Sequence, residues 1–330
     1  MTTTLVTGAT GFVGSAVARV LAARGHHLRL LVRANSDRRN LAGLEADLVT
    51  GDLTDPGSLV RAAAGCRYVV HVAADYRLWV PHPDVMLRAN VAGTLAMMRA
   101  AQATGAERIV YCSSVAALGV RADFSPADET TPLLPEAIIG TYKRSKYEAE
   151  QAVLDLVRRE SLPAVIVNPA APVGPRDIKP TPTGRLIRDA ANGRIPAYVD
   201  TGLNVVHVDD VAEGHVLALE RGRIGERYIL GGENLALRDL LALVARVAGR
   251  RPPRIALPIG PLMPVAAVME MLARLTGIEP IATRDHLKMA RKKMYFTSTK
   301  AIAELGYRPR PVRQAVEDAV AWFRANGMVG

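Results

Sequence analysis

The feature that most constrains the fold of this chain is a regular alternation, through its first half, of short apolar runs and longer amphipathic segments. The runs are too short and too uniformly apolar to be amphipathic helices, which favours buried strands. The predicted strands are Thr3 to Thr7, Leu28 to Val32, Leu48 to Thr50, Tyr68 to Val72, Ile109 to Ser113 and Ala164 to Asn168. The predicted helices are Val13 to Arg24, Pro56 to Ala64, Asp84 to Thr104 and Tyr142 to Arg159. Strict alternation predicts an α/β fold with a doubly wound parallel sheet.

The pattern loosens after Asn168, where proline and glycine cluster from Pro169 to Gly184. Helical spacing returns at Arg185 to Asn192, Asp209 to Glu220, Leu237 to Ala248 and from Gly260 onward. We therefore predict two domains. The first covers residues 1–168 and contains the sheet, and the second covers residues 169–330 as a smaller, mainly helical lobe. A segment of the second domain, from about 204 to 230, is expected to return to the sheet.

Composition and charge exclude several classes of protein. Two cysteines, Cys66 and Cys112, cannot form a disulfide framework, and no Cys/His cluster has metal-ligand spacing, so no metal is predicted. The net charge of +10 is compatible with nucleic acid, an anionic membrane or an anionic ligand, but the chain carries no nucleic-acid-binding motif. The absence of a signal peptide and of a spanning apolar run predicts a cytoplasmic protein.

A glycine-rich turn follows the first predicted strand and begins the first predicted helix. Its glycines, Gly8, Gly11 and Gly14, have the spacing G-x-x-G-x-x-G. Such a turn brings the backbone close to a pyrophosphate, while the helix N-terminus attracts the phosphate charge. The alternative is a turn with a purely structural role. Between a strand and a helix, the motif favours a Rossmann-type dinucleotide site, with contacts from Gly8, Thr10, Gly11, Phe12, Val13 and Gly14.

The residues after the second predicted strand indicate which dinucleotide binds. NAD-binding folds usually carry an acidic residue there, which accepts the ribose 2'-hydroxyl, but this chain has Arg33. A guanidinium and a nearby hydroxyl instead hold a 2'-phosphate through charge-assisted hydrogen bonds. Arg33, Ser36 and Arg38 therefore predict NADP as the cofactor. The alternative is that Arg38 is a solvated loop charge and Arg33 stacks on the adenine, in which case NAD also binds.

Further cofactor contacts are predicted after the third and fourth strands. Asp52, with Leu53 beside it, is placed to accept a hydrogen bond from the adenine amino group. A helix cap is the other interpretation of Asp52, although Asp55 fits that role better because it precedes a proline. The small residues Ala73 and Ala74 would let a cofactor lie against the backbone.

The candidate catalytic residues form a Tyr-x-x-x-Lys pattern, with Tyr142 and Lys146 at the start of a predicted helix. Positions four apart share a helix face, which places the ammonium beside the phenol. Because a neighbouring cation favours the phenolate, we expect the pKa of Tyr142 to be lowered towards neutral pH. The alternative is an exposed tyrosine stacked over a lysine stem. Ser114 is the candidate donor to the substrate oxygen, with Ser113 turned into the core.

Together these motifs resemble an extended short-chain dehydrogenase/reductase of the NAD-dependent epimerase/dehydratase superfamily. The resemblance also includes His71-Val72-Ala73-Ala74, the segment from Asn90 to Thr94, and the segment from His207 to Val211. Within the superfamily the chain is similar to dihydroflavonol 4-reductase-like enzymes. The stretches from Gly174 to Gly184 and from Pro196 to Asn204 look most like the group called hopanoid-associated sugar epimerases.

The resemblance implies a catalytic triad of Ser114, Tyr142 and Lys146. It also implies that Asn90 lies near the cofactor and that Asn168 and Pro169 lead into the nicotinamide and substrate pocket. Two reactions stay open. One is hydride transfer between NADP(H) and a carbonyl or alcohol of a sugar-, polyol- or lipid-linked molecule. The other is sugar epimerisation without net redox change.

Two departures from the epimerase pattern favour the first reaction. Sugar-nucleotide epimerases of the superfamily usually carry a threonine two residues after the catalytic serine, where this chain has Ala116. They also commonly carry an acidic residue at the position of Arg33. An epimerase retains its cofactor and returns the hydride, whereas an arginine there suits exchange of NADPH as a reductant.

Substrate and partner contacts are predicted from position alone. The candidate substrate residues, each with a packing alternative, are Tyr76, Trp79, Arg176, Thr183, Tyr198 and Asn204. The helices predicted over residues 84–104 and 142–159 are candidates for a homodimer interface. The tail has apolar residues from Ile255 to Leu275, followed by basic residues from Arg284 to Lys293. This pattern has two interpretations: peripheral contact with an anionic membrane, or an ordinary helix pair with a solvated face.

Overall fold

The computed structural model describes residues 2–77, 83–277, 280 and 282–330. The strands are β1 (Thr3–Thr7), β2 (His27–Val32), β3 (Asp47–Thr50), β4 (Tyr68–His71), β5 (Arg108–Cys112), β6 (Ala164–Pro169), β7 (Ala171–Val173), β8 (Ala197–Tyr198), β9 (Gly202–His207), β10 (Arg227–Leu230), β11 (Glu233–Ala236) and β12 (Ile255–Ala256).

The helices are α1 (Phe12–Ala23), α2 (Pro56–Ala63), α3 (Pro83–Leu87), α4 (Gly93–Ala103), α5 (Thr141–Glu160), α6 (Pro182–Ala191), α7 (Val208–Arg221), α8 (Leu237–Ala248), α9 (Ile259–Thr276), α10 (Arg284–Ala290), α11 (Thr299–Leu305) and α12 (Val312–Ala325). A π-helical turn, Arg88–Ala92, joins α3 to α4. The helix predicted over residues 84–104 is therefore continuous but locally widened.

Seven strands of the described residues form one parallel sheet in the order β10-β6-β5-β4-β1-β2-β3. Its strands are buried on both faces, as their apolar runs predict. In β1, for example, Val6 and Leu5 are both fully buried and belong to separate core clusters on opposite faces. The predicted α/β fold, with a doubly wound Rossmann-type sheet and a smaller C-terminal region, is confirmed.

The strand order determines where a ligand binds. Strand β1 lies between β2, the next strand in sequence, and β4, which continues the sheet in the other direction. The chain direction across the sheet therefore reverses between β1 and β4. In open α/β sheets, ligands bind beyond the carboxyl ends of the strands at such a point. The glycine-rich turn after β1 lies there.

The second half of the chain combines helices with two small sheets. Within the described residues, β7, β9 and β11 form a three-stranded sheet and β8 pairs with β12. Helices α6, α8 and α12 pack against the three-stranded sheet around Ile187, Val244 and Phe323. The segment from about 204 to 230 is predicted to return to the main sheet, and most of it does. Helix α7 packs on α1, and β10 pairs with β6. The first residues of the segment do not return, because they belong to β9 in the three-stranded sheet.

The longest apolar helix of the second half is α9. Its side chains at Val265, Val268, Met271, Leu272 and Leu275 are about half or more exposed. No helix in the described ranges combines the length and the apolar character that crossing a bilayer requires.

Candidate active site

A cavity of about 1490 Å³ lies beyond the carboxyl ends of the main strands and extends towards the second half of the chain. One end is formed by the turns after β1, β2, β3 and β4. The other end is lined largely by apolar side chains from the later segments, among them Val120, Ile139, Leu186, Met289 and Phe296. We call the end formed by the turns after β1 to β4 the cradle, and the end lined largely by apolar side chains the chamber.

The glycine-rich turn forms the floor of the cradle. Gly8 has a φ of +75°, and a Cβ there would lie 2.7 Å from the backbone nitrogen of Ala73. A Cβ on Gly14 would overlap the carbonyl oxygen of Gly8. The cradle therefore requires glycine at both positions, and it exposes backbone amides at the N-terminus of α1. All six predicted contacts of this turn line the cavity: Gly8, Thr10, Gly11, Phe12, Val13 and Gly14.

The adenosine end of the cradle contains most of the residues predicted there. Arg33, Ser36, Asp52 and Leu53 line the cavity. Arg38 is exposed, directly before the short helical turn Arg39–Leu41, and is not among the cavity-lining residues of the described chain. Its contact with the cofactor stays a prediction.

Asp52 combines a structural contact with exposure to the cavity. Its Oδ1 accepts hydrogen bonds from the backbone nitrogen and the hydroxyl of Thr54, at 2.9 and 2.7 Å. These bonds lower the pKa of the Asp52 carboxyl, so that it is ionised at neutral pH. The cap of α2 is Asp55, which accepts from the backbone nitrogen of Ser58, as the sequence indicates.

The residues of the cradle fit a dinucleotide. The two glycines leave backbone room for a pyrophosphate, and Arg33 lines the adenosine end. Lys179 also lines this end, close enough to Asp37 for its charge to lower the pKa of that carboxyl. Asp37 itself forms an ion pair with Arg39.

Tyr142, Ser114 and Lys146 meet where the cradle joins the apolar chamber. Each lines the cavity, and the hydroxyl of Ser114 is near enough to the phenol of Tyr142 to lower its pKa. Ser114 follows β5 in extended conformation, and Asn168 holds its carbonyl oxygen with a 3.0 Å hydrogen bond. Ser113 is 3% exposed, although it also contributes to the cavity lining.

The ammonium of Lys146 is buried beside the same strand end. Lys146 is 4% exposed, its Nζ donates to the carbonyl oxygen of Cys112 at 3.0 Å, and it lies 5.6 Å from the ring centre of Tyr111. Burial lowers the pKa of Lys146, while Cys112 and Glu150 act in the opposite direction. The lysine is therefore held at the cavity wall by the backbone of β5.

The expected lowering of the pKa of Tyr142 is wrong for this structure. Burial of the phenol raises its pKa to about 12, and the hydroxyl of Ser114 offsets this only in part. Lys146 directs its ammonium at the carbonyl oxygen of Cys112 instead. Tyr142 is therefore protonated at neutral pH, which is the form that donates a proton.

Two asparagines implied by the resemblance position the site from outside the cavity. Asn90, in the π-helical turn, accepts from the backbone nitrogen of Asp75 and donates to its carbonyl oxygen and to the hydroxyl of Ser145. Asn168 donates to Ser114 and to the carboxylate of Glu150. Both side chains are almost fully buried, whereas Pro169, Ala73 and Ala74 line the cavity directly.

The predicted substrate residues divide into two groups. Tyr76, Thr183 and Asn204 line the cavity, although the amide of Asn204 is bonded to backbone groups and to the side chain of Asn234. Trp79 lies outside the described residues.

Arg176 and Tyr198 are not among the lining residues of the described ranges, and their contact with a substrate stays a prediction. Arg176 forms an ion pair with Asp209 on α7, which directs its guanidinium away from the cavity. Tyr198 packs against the core of the second half of the chain.

Several lining residues were not predicted. Asp177, Asp285, Met289 and Lys292 come from the second half of the chain, and Lys143 lies beside Tyr142. Burial raises the pKa of Asp177 to about 6, against the hydrogen bonds that it accepts from Thr181. Two of these residues had a sequence signal: Lys143 lies inside the Tyr-x-x-x-Lys motif, and Asp177 lies in the stretch from Gly174 to Gly184. The others depend on how distant segments fold together.

Comparison with known proteins defines the class. The sequence profile of the NAD dependent epimerase/dehydratase family matches residues 4–231. The chain belongs to this family, and it is an NAD(P)-dependent oxidoreductase of the extended short-chain dehydrogenase/reductase type.

Individual relatives extend over nearly the whole chain. A Synechocystis protein with the provisional name dihydroflavonol 4-reductase is 44% identical over 98% of this chain and 95% of its own length. Sterol demethylase protein B of Methylococcus capsulatus is 35% identical over 99% of this chain and its own full length. The crystal structure of a protein named gox2253 is 62% identical, covers both chains completely and has a TM-score of 0.91.

Proposed function

We propose that this protein is an NADPH-dependent carbonyl reductase acting on a largely apolar ketone or aldehyde. The observation that carries the proposal is the placement of Tyr142, Ser114 and Lys146 on one cavity wall, where a dinucleotide cradle joins an apolar chamber. A tyrosine that retains its proton at neutral pH suits the reductive direction, in which the site must supply a proton.

In this mechanism the residues of the chain hold the reactants and supply the proton. The turn from Gly8 to Gly14 would hold the pyrophosphate, and Arg33 with Ser36 the 2'-phosphate. NADPH, when bound, supplies the hydride for the carbonyl carbon. Tyr142 donates its phenolic proton to the carbonyl oxygen as negative charge develops there, and Ser114 donates a hydrogen bond to the same oxygen.

Lys146 acts on the state that follows proton donation. It lies one helical turn from Tyr142, and its ammonium stabilises the phenolate that remains. The phenolate must recover a proton before the next turnover. The reverse reaction, oxidation of an alcohol, uses the same groups with Tyr142 as the base.

The substrate class follows from the chamber and from the relatives. Most of the side chains named at the chamber end are apolar, and burial of an apolar substrate there contributes roughly 25 cal/mol per Å². The names of two relatives support an apolar ring system, since one carries the name of a flavonoid reductase and the other that of a sterol-processing protein. The likeness to hopanoid-associated sugar epimerases stays a prediction.

A direct assay separates the two reactions that the sequence left open. Reduction consumes NADPH, so the nicotinamide absorbance should fall when the purified protein receives NADPH and an apolar methyl ketone. Epimerisation of a nucleotide sugar, with UDP-glucose as the probe, would interchange isomers and leave the absorbance unchanged. The proposal would be overturned if the protein interchanged the isomers of the nucleotide sugar and consumed no NADPH with any ketone.

We propose NADP(H) rather than NAD(H) as the working cofactor and expect Arg33 to determine this preference. Arg33→Ala should weaken NADPH binding by about tenfold to a hundredfold, because charge-assisted hydrogen bonds to the 2'-phosphate contribute roughly 1.5–3 kcal/mol. NADH binding should change little. Fluorescence titration with both cofactors measures the effect, and Arg61→Ala, an exposed arginine of α2 that is not among the lining residues, is the matched control. Equal losses for NADPH and NADH would contradict the assignment.

We also propose peripheral contact with an anionic bilayer through the exposed face of α9. Val265, Val268, Leu272 and Leu275 follow helical spacing and are exposed, and the basic residues from 284 to 293 lie next along the chain. Leu275→Glu should reduce co-sedimentation with phosphatidylserine vesicles at low salt several-fold, whereas Ile302→Glu, an exposed apolar position on α11, should not. Background sedimentation of the unaltered protein would dispose of the idea.

A further inference from the structure

Two lysines lie at the apolar end of the cavity, and the reduction mechanism uses neither of them. Lys143 follows Tyr142 at the start of α5, and Lys292 follows α10, so the two come from distant parts of the chain. Both line the cavity, and both are half-buried. Fully charged groups are rarely placed in an apolar chamber unless something there interacts with them.

The protein itself supplies little compensation for these two charges. Neither ammonium forms an ion pair with a carboxylate anywhere in the ranges that the structure describes. The one hydrogen bond from Lys143 is long, 3.5 Å to the carbonyl oxygen of Leu118. Asp285 also lines this end, but it lies 3.7 Å from the ammonium of Lys288 on its own helix.

The two lysines also act on each other. Burial and the charge of Lys292 together lower the pKa of Lys143 to about 8. Mutual repulsion of this kind disfavours the folded protein unless an anion binds between the two groups. Perturbed, uncompensated groups that converge on a cavity are typical of a binding site.

We propose that Lys143 and Lys292 form a subsite for an anionic group of the substrate, a carboxylate or a phosphate, located on the apolar molecule away from its reacting carbonyl. The inference rests on the proposed reductase function and names its substrate class more closely, as an amphiphilic carbonyl compound. Binding the anion at the apolar end of the cavity would fix the orientation of the substrate, so that its carbonyl faces the phenol of Tyr142 and Ser114.

The test compares substrates that differ only in charge. Methyl ketones with a terminal carboxylate, in a series of increasing chain length, are each compared with their neutral methyl ester. At the length that spans the site, the kcat/KM of the acid should exceed that of the ester by about tenfold or more, because hydrogen bonds to charged groups are strong. Lys143→Met and Lys292→Met should each reduce this acid-to-ester ratio by on the order of tenfold.

Lys293→Met is the matched control. It removes the same charge from the neighbouring position, but the ammonium of Lys293 lies over the ring of Phe124, at 5.3 Å, and not among the lining residues. The acid-to-ester ratio should be unchanged in this variant. An equal loss in all three variants would mean that the general positive charge of the protein is responsible, and it would overturn the subsite.

A binding measurement keeps the subsite testable if no ketone is reduced. Decanoate, monododecyl phosphate and neutral decanol are titrated calorimetrically into the NADPH-loaded enzyme. We expect one or both anions to bind more tightly than decanol, and the difference to vanish in Lys143→Met and Lys292→Met. The anion with the larger difference identifies the headgroup. Equal affinity of decanol and both anions would overturn the subsite, whereas anion binding without ketone reduction would overturn the proposed function alone.

Discussion

Tyr142→Phe is expected to lower kcat for ketone reduction by about 10²- to 10⁴-fold, the usual contribution of a positioned proton donor. The ring still fills its place beside Ser114, and only the phenolic oxygen is removed. NADPH affinity should change little, because the cradle from Gly8 to Gly14 and Arg33 are unaltered. Steady-state kinetics with an apolar methyl ketone, together with a fluorescence titration of NADPH, measure the two quantities separately.

Tyr147→Phe is the control for that experiment. Tyr147 lies on the same helix, α5, but is not among the cavity-lining residues of the described chain. Its substitution should leave kcat within about twofold of the unaltered enzyme, because substitutions at half-buried polar positions away from the site usually have small effects. If Tyr142→Phe retained full turnover while NADPH still bound, the role of Tyr142 as proton donor would be refuted.

Gly14→Ala is expected to have the second large effect, on cofactor binding. A methyl group at Gly14 would overlap the carbonyl oxygen of Gly8, so the turn or the first residues of α1 must shift. Such overpacking typically costs about 1–3 kcal/mol, which corresponds to a loss of roughly fivefold to 150-fold if the shift falls on the pyrophosphate contacts. Titration of NADPH and NADH should show the same loss, because the pyrophosphate is common to both.

A graded pair of substitutions accompanies Gly14→Ala. A Cβ on Gly11 would lie 3.2 Å from the carbonyl oxygen of Gly8, so Gly11→Ala should have an intermediate effect. Gly260 has open space around its Cβ position and an ordinary φ, so Gly260→Ala should bind NADPH normally. Normal binding by Gly14→Ala would show that the cradle is not where the pyrophosphate lies.

Sequence patterns predicted the parts of this molecule that depend on local chemistry. The strands β1 to β6 and the helices α1, α2 and α5 lie within one or two residues of the predicted bounds, because periodicity and glycine spacing are properties of short segments. The meeting of Tyr142 and Lys146 with Ser114 at one edge also followed from sequence, since carboxyl ends of parallel strands share that edge.

The parts that sequence missed depend on contacts between distant segments. Arg176 forms an ion pair with Asp209, and Tyr198 packs against a core cluster. No local sequence pattern distinguishes either contact from exposure to the cavity. The pKa of Tyr142 is raised rather than lowered, because the phenol is buried and the ammonium of Lys146 is directed at the carbonyl oxygen of Cys112. Lys292 reaches the site only through the packing of α10 near the start of α5. The predicted homodimer stays a prediction.

Ketone reduction by this protein is expected to take its hydride from NADPH bound over the glycine-rich turn and its proton from Tyr142. Single turnover with NADPH deuterated at the reactive position of the nicotinamide, followed by mass spectrometry of the product, tests it most directly. We predict one deuterium on the carbinol carbon of the alcohol, formed with loss of one equivalent of NADPH. Recovery of unreduced substrate with the deuterium still on the nicotinamide, for every ketone tried, would contradict the account.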